Sequence, residues 1–285
     1  MELNQKLKIG MVANTTYAIL EIVIGLASGS LALVSDAAHN LTDSLSILIA
    51  FIGQKIAQRP ATEEHTFGYG KATILTALVN SLILIAIAGF IFYEAYQKIL
   101  NPSPVKGGII MLVAGVGILV NGGVAAMFIK DRKNLNMKGV FLNMAFDTLV
   151  SVGAVFAGLI ILLTGKTLAD PIISMAIGAM LVYGSVQIVN QAIHILLEGI
   201  PENFKPKEIV AAMGAVPNVI SVDNFHLWSI ASQKPALSCH LVVTPAGLND
   251  HIQLVENVKK MLSEKFQIEH STIEIGLTPT PDHEH

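Results

Sequence analysis

His39 and Asp43 stand four residues apart, and so do Asn143 and Asp147. Side chains at that spacing share one face of a helix, so each pair presents two metal-binding groups in one direction. The first pair lies in Ser35-Asp36-Ala37-Ala38-His39-Asn40-Leu41-Thr42-Asp43, with Asp36 one turn earlier, and leads into the apolar Leu45, Ile47, Leu48, Ile49, Ala50 and Phe51. The second pair opens another apolar run from Phe141. A carboxylate at membrane depth costs roughly 2.5–3.5 kcal/mol on insertion scales, so it must face a partner helix, a cavity or an ion. Brought together, His39, Asp43, Asn143 and Asp147 offer one imidazole, two carboxylates and an amide oxygen. Two carboxylates balance one divalent cation. The plainer reading is that each pair hydrogen-bonds a neighbouring helix; two matched pairs weigh against it, because intramembrane carboxylates are functional by default.

The elements that must position these groups follow from composition. The chain is 285 residues long, 52% hydrophobic and only 14% charged, against about 25% charged in soluble domains. That deficit predicts a membrane protein. A net charge of -3 gives no reason to expect nucleic acid. Cys239 is the single cysteine, which excludes an internal disulfide framework and a four-cysteine zinc site, and suits a reducing compartment. The first apolar run is too long for a signal-peptide core and lacks a small-residue cleavage site.

Length and apolarity predict six transmembrane helices, near Leu7–Ala27, Leu31–Ile56, Thr73–Leu100, Gly108–Ile129, Gly139–Leu163 and Leu168–Leu197. Ser28-Gly29-Ser30, Asn101-Pro102-Ser103-Pro104, Asp131-Arg132-Lys133-Asn134 and Gly165 with Asp170-Pro171 punctuate them. Lys6, Lys8, Lys55, Arg59, Lys71, Lys130, Arg132, Lys133, Lys138, Lys205 and Lys207 fall on one side, and Lys98, Lys106 and Lys166 on the other. The positive-inside rule places both termini in the cytoplasm. Asn14, Asn80, Asn121, Gln187, Asn190 and His194 sit at membrane depth, where interhelical hydrogen bonding is the ordinary role. Glu21 lines an aqueous route or sits near the outer interface.

From about Pro201 the composition becomes that of a soluble domain. Pro206 to Ala215 reads as a helix, Val219 to Ile230 and Ala236 to Thr244 as strands, Asp250 to Phe266 as an amphipathic helix, and Ser271 to Leu277 as a last strand. This αββαβ order implies a small α+β, ferredoxin-like unit with helices on one face of a sheet. The expected domains are therefore residues 1–200 in the membrane, 201–280 in the cytoplasm and a disordered tail at 281–285. A unit this small is near the lower limit for a stable core, which favours pairing with a second copy.

In order and spacing these segments resemble the cation diffusion facilitator family, whose members export divalent metal ions from the cytoplasm in exchange for protons. The resemblance covers nearly the whole chain. It is carried by Ser28-Gly29-Ser30-Leu31-Ala32-Leu33 with Asp36 to Asp43, by His65-Thr66-Phe67-Gly68-Tyr69-Gly70-Lys71, and by Asn101-Pro102 and Ala169-Asp170-Pro171. Leu196-Leu197-Glu198-Gly199-Ile200-Pro201 and His226-Leu227-Trp228-Ser229-Ile230 complete it.

The resemblance implies that His39, Asp43, Asn143 and Asp147 form a transport site between the second and fifth helices. Asn143 departs from the common zinc pattern, which has histidine there. Zinc favours nitrogen and sulfur ligands, whereas oxygen-rich sites suit harder ions. Zn²⁺ stays first because His39 remains, with Mn²⁺, Fe²⁺, Co²⁺ and Cd²⁺ also accommodated. A neutral imidazole binds metal and a protonated one cannot, so His39 couples affinity to pH, and Asp43 and Asp147 are further proton acceptors. Asn143 does not titrate. Alternating access would come from rocking helix groups.

The family also implies a cytoplasmic metal site at Asp223, His240, His251 and Glu274, with His226 adjacent, that stabilises a homodimer. Cys239 is excluded there because strand alternation turns it away from His240. It implies an ancillary loop ligand at His65, although Tyr69 fills the position of a second histidine and a solvated acidic turn competes. A charge interlock of Lys71 with Glu198 is implied as well. The His283 and His285 tail reads as solvated. A membrane-anchored metal sensor without transport activity is the alternative of a different class. A metalloprotease is disfavoured because no His-Glu-x-x-His helix exists, and a channel because strong ligands would hold an ion too long. The compact chain points to a prokaryotic inner membrane.

Overall fold

Long apolar runs make up the first two-thirds of the chain, and each folds as a helix in a computed structural model that describes residues 2–28, 31–101, 107–164, 168–232 and 234–279. These helices are α1 (Leu3–Ser28), α2 (Leu31–Ala57), α3 (Ala72–Leu100), α4 (Gly107–Phe128), α5 (Leu135–Thr164) and α6 (Ala169–Leu196). A 3-10 turn at Ile129–Asp131 closes α4. The expected tail at 281–285 lies outside the described residues. Helix α5 begins four residues before the start expected from apolarity. The reason is a cap: Asn136 and Met137 donate their backbone N–H groups to Asn134 Oδ1 at 3.0 and 3.3 Å, so a polar first turn is held in the helix.

The polarity of this unit is inverted relative to a soluble bundle. Large apolar side chains such as Val12, Leu82, Phe90, Leu119, Phe156 and Tyr183 point outward. Asn14, Asn40, Asp43, Asn80, Asn121, Asn136, Asn143 and Asp147 are buried. Apolar surface on that scale marks a medium other than water. Among the described residues three stretches, Ala72–Leu100, Ala114–Asp131 and Ser174–Leu196, are long and apolar enough to cross a bilayer by length and composition.

Inside, Leu7, Ile47, Ala50, Phe128, Met137, Val140 and Met144 form one cluster, and Leu84, Ala88, Phe146 and Leu181 form another. At one end Asn4 donates to Gln58 Oε1 at 3.1 Å, Lys6 pairs with Asp131, and Arg132 lies 4.9 Å over the Phe141 ring. Helices α2 and α3 approach closely where Gly53 meets Thr76: a Cβ there would stand 2.2 Å from Thr76 Oγ1.

The chain divides into two compact units, with the boundary between Ile193 and His194 inside the last turn of α6. His194 was expected among the interhelical groups. Its Nε2 instead donates to Ile200 O at 2.8 Å, tying it to the segment that follows. Gln187 and Asn190 lie exposed on α6 rather than between helices.

The second unit contains α7 (Pro206–Gly214), β1 (Val219–Ala231), β2 (Lys234–Val243), α8 (Pro245–Asn249), α9 (His251–Phe266) and β3 (His270–Gly276). The sheet order is β1-β2-β3, with β1 antiparallel and β3 parallel to β2. The parallel pair needs a crossover, which α8 and α9 supply. Helix α8 is an addition to the expected order; Pro245 begins it and Thr244 Oγ1 accepts from Gly247 N at 3.1 Å. Leu227, Leu237, Cys239 and Leu241 face Ile209, Met213, Leu254, Val258 and Leu262 in the core. The alternate residues of β1 and β2 therefore form the opposite face.

Candidate metal site

Asp43 and Asn143 are each 1% exposed and Asp147 is 4% exposed, so the three groups sit within the helical unit rather than on its surface. Asp43 comes from α2, Asn143 and Asp147 from one face of α5. The two helices meet here through one contact: Asn143 Nδ2 donates to Asp43 Oδ1 at 3.3 Å. This contact gives a buried carboxylate a hydrogen-bond donor, which lessens a desolvation cost of several kcal/mol for an ion in a low-dielectric interior. To ligate a cation the Asn143 amide would turn its oxygen inward, a rotation about one side-chain bond. The His39 side chain lies outside the described residues, as do those of Asp36 and Glu21.

The backbone just beyond His39 is held firmly. Asn14 Nδ2 on α1 donates to Asn40 O at 3.1 Å, and Ser44 Oγ donates to the same carbonyl at 3.1 Å. Thr15 Oγ1 donates to Ser44 Oγ at 3.1 Å. Two turns before Asn143, Asn136 joins three helices: its Nδ2 donates to Ala50 O at 2.8 Å, and Thr76 Oγ1 donates to its Oδ1 at 3.3 Å. Asn40 and Asn136 were not singled out from sequence. The signal for Asn136 was available, since residues 136 and 143 are seven apart and share a helix face.

In the second unit the register aligns Asp223 with His240 and His240 with Glu274, placing these three on adjacent strands in one row of the face away from the core. Ser221 Oγ donates to Asp223 Oδ1 at 3.2 Å, while Asp223 Oδ2 is buried with no hydrogen-bond partner in the protein. His240 is buried and its ring edge fills the space over Gly276, where a Cβ would lie 2.6 Å from Nε2. His226 pairs with Ser238 beyond an irregularity that contains Asn224 at φ 47°. His226 borders a cleft of about 320 Å³ lined also by Glu198, Ile200, Phe225 and Trp228. His251 is exposed at the start of α9, its Nδ1 donating to Leu248 O at 3.1 Å. Among the described residues no three His, Cys, Asp or Glu side chains converge on a metal position, so the row is aligned but not closed into a cage. Cys239 packs in the core, and burial pushes its thiol up to about 12.

The loop before α3 is a tight turn. His65 N donates to Thr62 Oγ1 at 3.1 Å, and the His65 ring stacks on Tyr69 with centroids 4.5 Å apart. Thr62, Glu63, Glu64 and His65 are all exposed. Lys71 and Glu198 belong to different units.

A helical unit with outward apolar side chains and inward carboxylates, followed in the chain by a separate α+β unit, defines a multi-pass membrane protein. Residues 7–197 match the cation efflux transmembrane domain, and residues 201–276 match the cation efflux protein cytoplasmic domain. The chain belongs to the cation diffusion facilitator family. It is 36% identical to the zinc transporter ZitB of Pectobacterium atrosepticum, over 95% of this chain and 85% of that one. It is 35% identical to the metal cation efflux system protein CzcD of Cupriavidus metallidurans, over 96% and 87%. A cadmium, cobalt and zinc/H(+)-K(+) antiporter of Bacillus subtilis is 34% identical, over 94% and 85%. A solved structure of the metal-bound C-terminal domain of the CzcD transporter is 32% identical, covering 26% of this chain and 100% of its own, with a TM-score of 0.25. The family is one of transporters rather than enzymes, and metal cations are what it moves.

Proposed function

We propose that this chain exports a divalent transition-metal cation from the cytoplasm in exchange for protons, with Zn²⁺ first and Cd²⁺, Co²⁺, Mn²⁺ and Fe²⁺ as further cargoes. The observation that carries the reading is the buried contact of Asp43 on α2 with Asn143 on α5, with Asp147 one turn further on the same face. His39, Asp43, Asn143 and Asp147 form the transport site in this reading. Relatives named for zinc, and for cadmium, cobalt and zinc in antiport with protons and potassium, support the cargo and the counter-ion.

Metal leaves when protons take its place on His39 and the two carboxylates, and those protons return inward as the helices rock back. All six long helices span the bilayer, with both termini in the cytoplasm and a bacterial inner membrane as host. The ferredoxin-like cytoplasmic unit joins two copies into a homodimer. Asp223, His240 and Glu274, together with His226 and His251, bind regulatory metal when the pairing closes the site. His65 is an ancillary ligand at most.

The test is metal-dependent proton flux in proteoliposomes across Zn²⁺, Mn²⁺, Fe²⁺, Co²⁺ and Cd²⁺. Flux lost in Asp43→Ala ties it to the site. A chain that binds metal yet moves none would instead be the membrane-anchored sensor.

A further inference from the structure

Asn80 lies in the third turn of α3 (Ala72–Leu100), 1% exposed, and neither of its amide atoms has a hydrogen-bond partner in the protein. Among the described residues it is the one amide with both side-chain atoms in that condition; Asn4, Asn14, Gln54 and Asn121 show it at the oxygen alone. A buried amide that no protein group satisfies is a place for a water or an ion. Its location says which. A Cβ built on Gly139 would stand 3.4 Å from Asn80 Nδ2, so the amide rests against α5 where that helix has no side chain. Gly139 is one turn before Asn143, a rise of roughly 6 Å.

Polar groups thus recur along α5 at each turn. Asn136 meets Thr76 and Ala50 O, Gly139 faces Asn80, Asn143 meets Asp43, and Asp147 follows. Thr76 and Asn80 are themselves four apart on α3, so one face of α3 tracks one face of α5. The track starts beside the basic 130–138 segment and ends at the Asn143–Asp43 contact, with Asp147 one turn beyond.

We propose that Asn80 is the intake ligand of the transport site: its carboxamide oxygen replaces a water on a partly hydrated divalent cation one helix turn before Asp43 and Asn143. The proposal rests on the transport reading above. Chemistry suits the position. A neutral oxygen strips one water from a hard cation without holding it as a carboxylate does, and its NH₂ group can orient the remaining shell. The ion is therefore passed on rather than trapped.

The experiment is initial-rate transport of Zn²⁺ and Mn²⁺ by the full chain in proteoliposomes. Asn80→Leu keeps the volume and removes the oxygen; Asn80→Asp keeps the shape and adds charge. Asn80→Leu should raise KM about tenfold with kcat within about twofold, the scale of one lost polar contact. Asn80→Asp should lower both KM and kcat, because the cation is held too tightly at intake. A structural role would move both variants the same way and lower their thermal stability together. An unchanged KM in Asn80→Leu, or joint loss of kcat and stability in both variants, overturns the proposal while an active wild type leaves the transport reading standing. A wild-type chain that moves no metal overturns the transport reading itself, and this inference with it.

Discussion

In the proposed transport reading, Asn143 is the residue on which selectivity turns. Its amide donates to Asp43, and it stands with a neutral, non-titrating group where the common zinc pattern has histidine. Asn143→His should raise the protons exchanged per metal and favour Zn²⁺ over Mn²⁺, because imidazole suits zinc and carries a proton when metal leaves. Paired proton and metal fluxes in vesicles measure this directly. An unchanged ratio would remove Asn143 from the coordination shell.

Among the elements, the α2–α3–α5 packing decides whether these groups meet. Gly53 allows α2 to lie against Thr76, and a Cβ would fall 2.7 Å from Thr76 Cγ2 as well as into its hydroxyl. Gly53→Val should cost about 1–3 kcal/mol by overpacking, seen as a lower unfolding midpoint in detergent, with part regained in Gly53→Val/Thr76→Ala. Asn136→Ala removes the donor to Ala50 O and the acceptor for Thr76. Each buried group so abandoned costs roughly 1–3 kcal/mol. That variant should lose stability without a change in metal preference, since Asn136 lies two turns from Asp43's partner; a shifted Zn²⁺ to Mn²⁺ ratio would show that it contacts the ion.

For the molecule as a whole, Cys239 reports on the integrity of the second unit. Burial pushes its thiol from 9.0 up to about 12, so it resists alkylation at pH 8 in the folded chain and reacts once the sheet opens. The raised value means the folded state keeps a proton that the unfolded state releases. Its stabilising contribution is complete below 9.0 and is lost as pH rises from there through about 12. Denaturation of the full chain at pH 8 and pH 11, beside Cys239→Ala, should show a larger loss in the wild type.

Much of this was written locally. Four-residue spacing put Asp147 on the Asn143 face, apolar runs marked the long helices, and strand alternation turned Cys239 away from His240. Helix starts were less legible: a polar first turn such as Asn136 to Lys138 belongs to α5 only because Asn134 caps it. His194 read as an interhelical group because its partner, Ile200 O, lies past the end of its helix. Periodicity depends on a residue's own neighbours along the chain, so one sequence suffices to find a helix face. Which faces meet is a matter of packing between segments about a hundred residues apart. Tertiary structure alone brought Asn143 to Asp43, set Asp223, His240 and Glu274 in one row, and left Asn80 against Gly139 with no protein group to satisfy it.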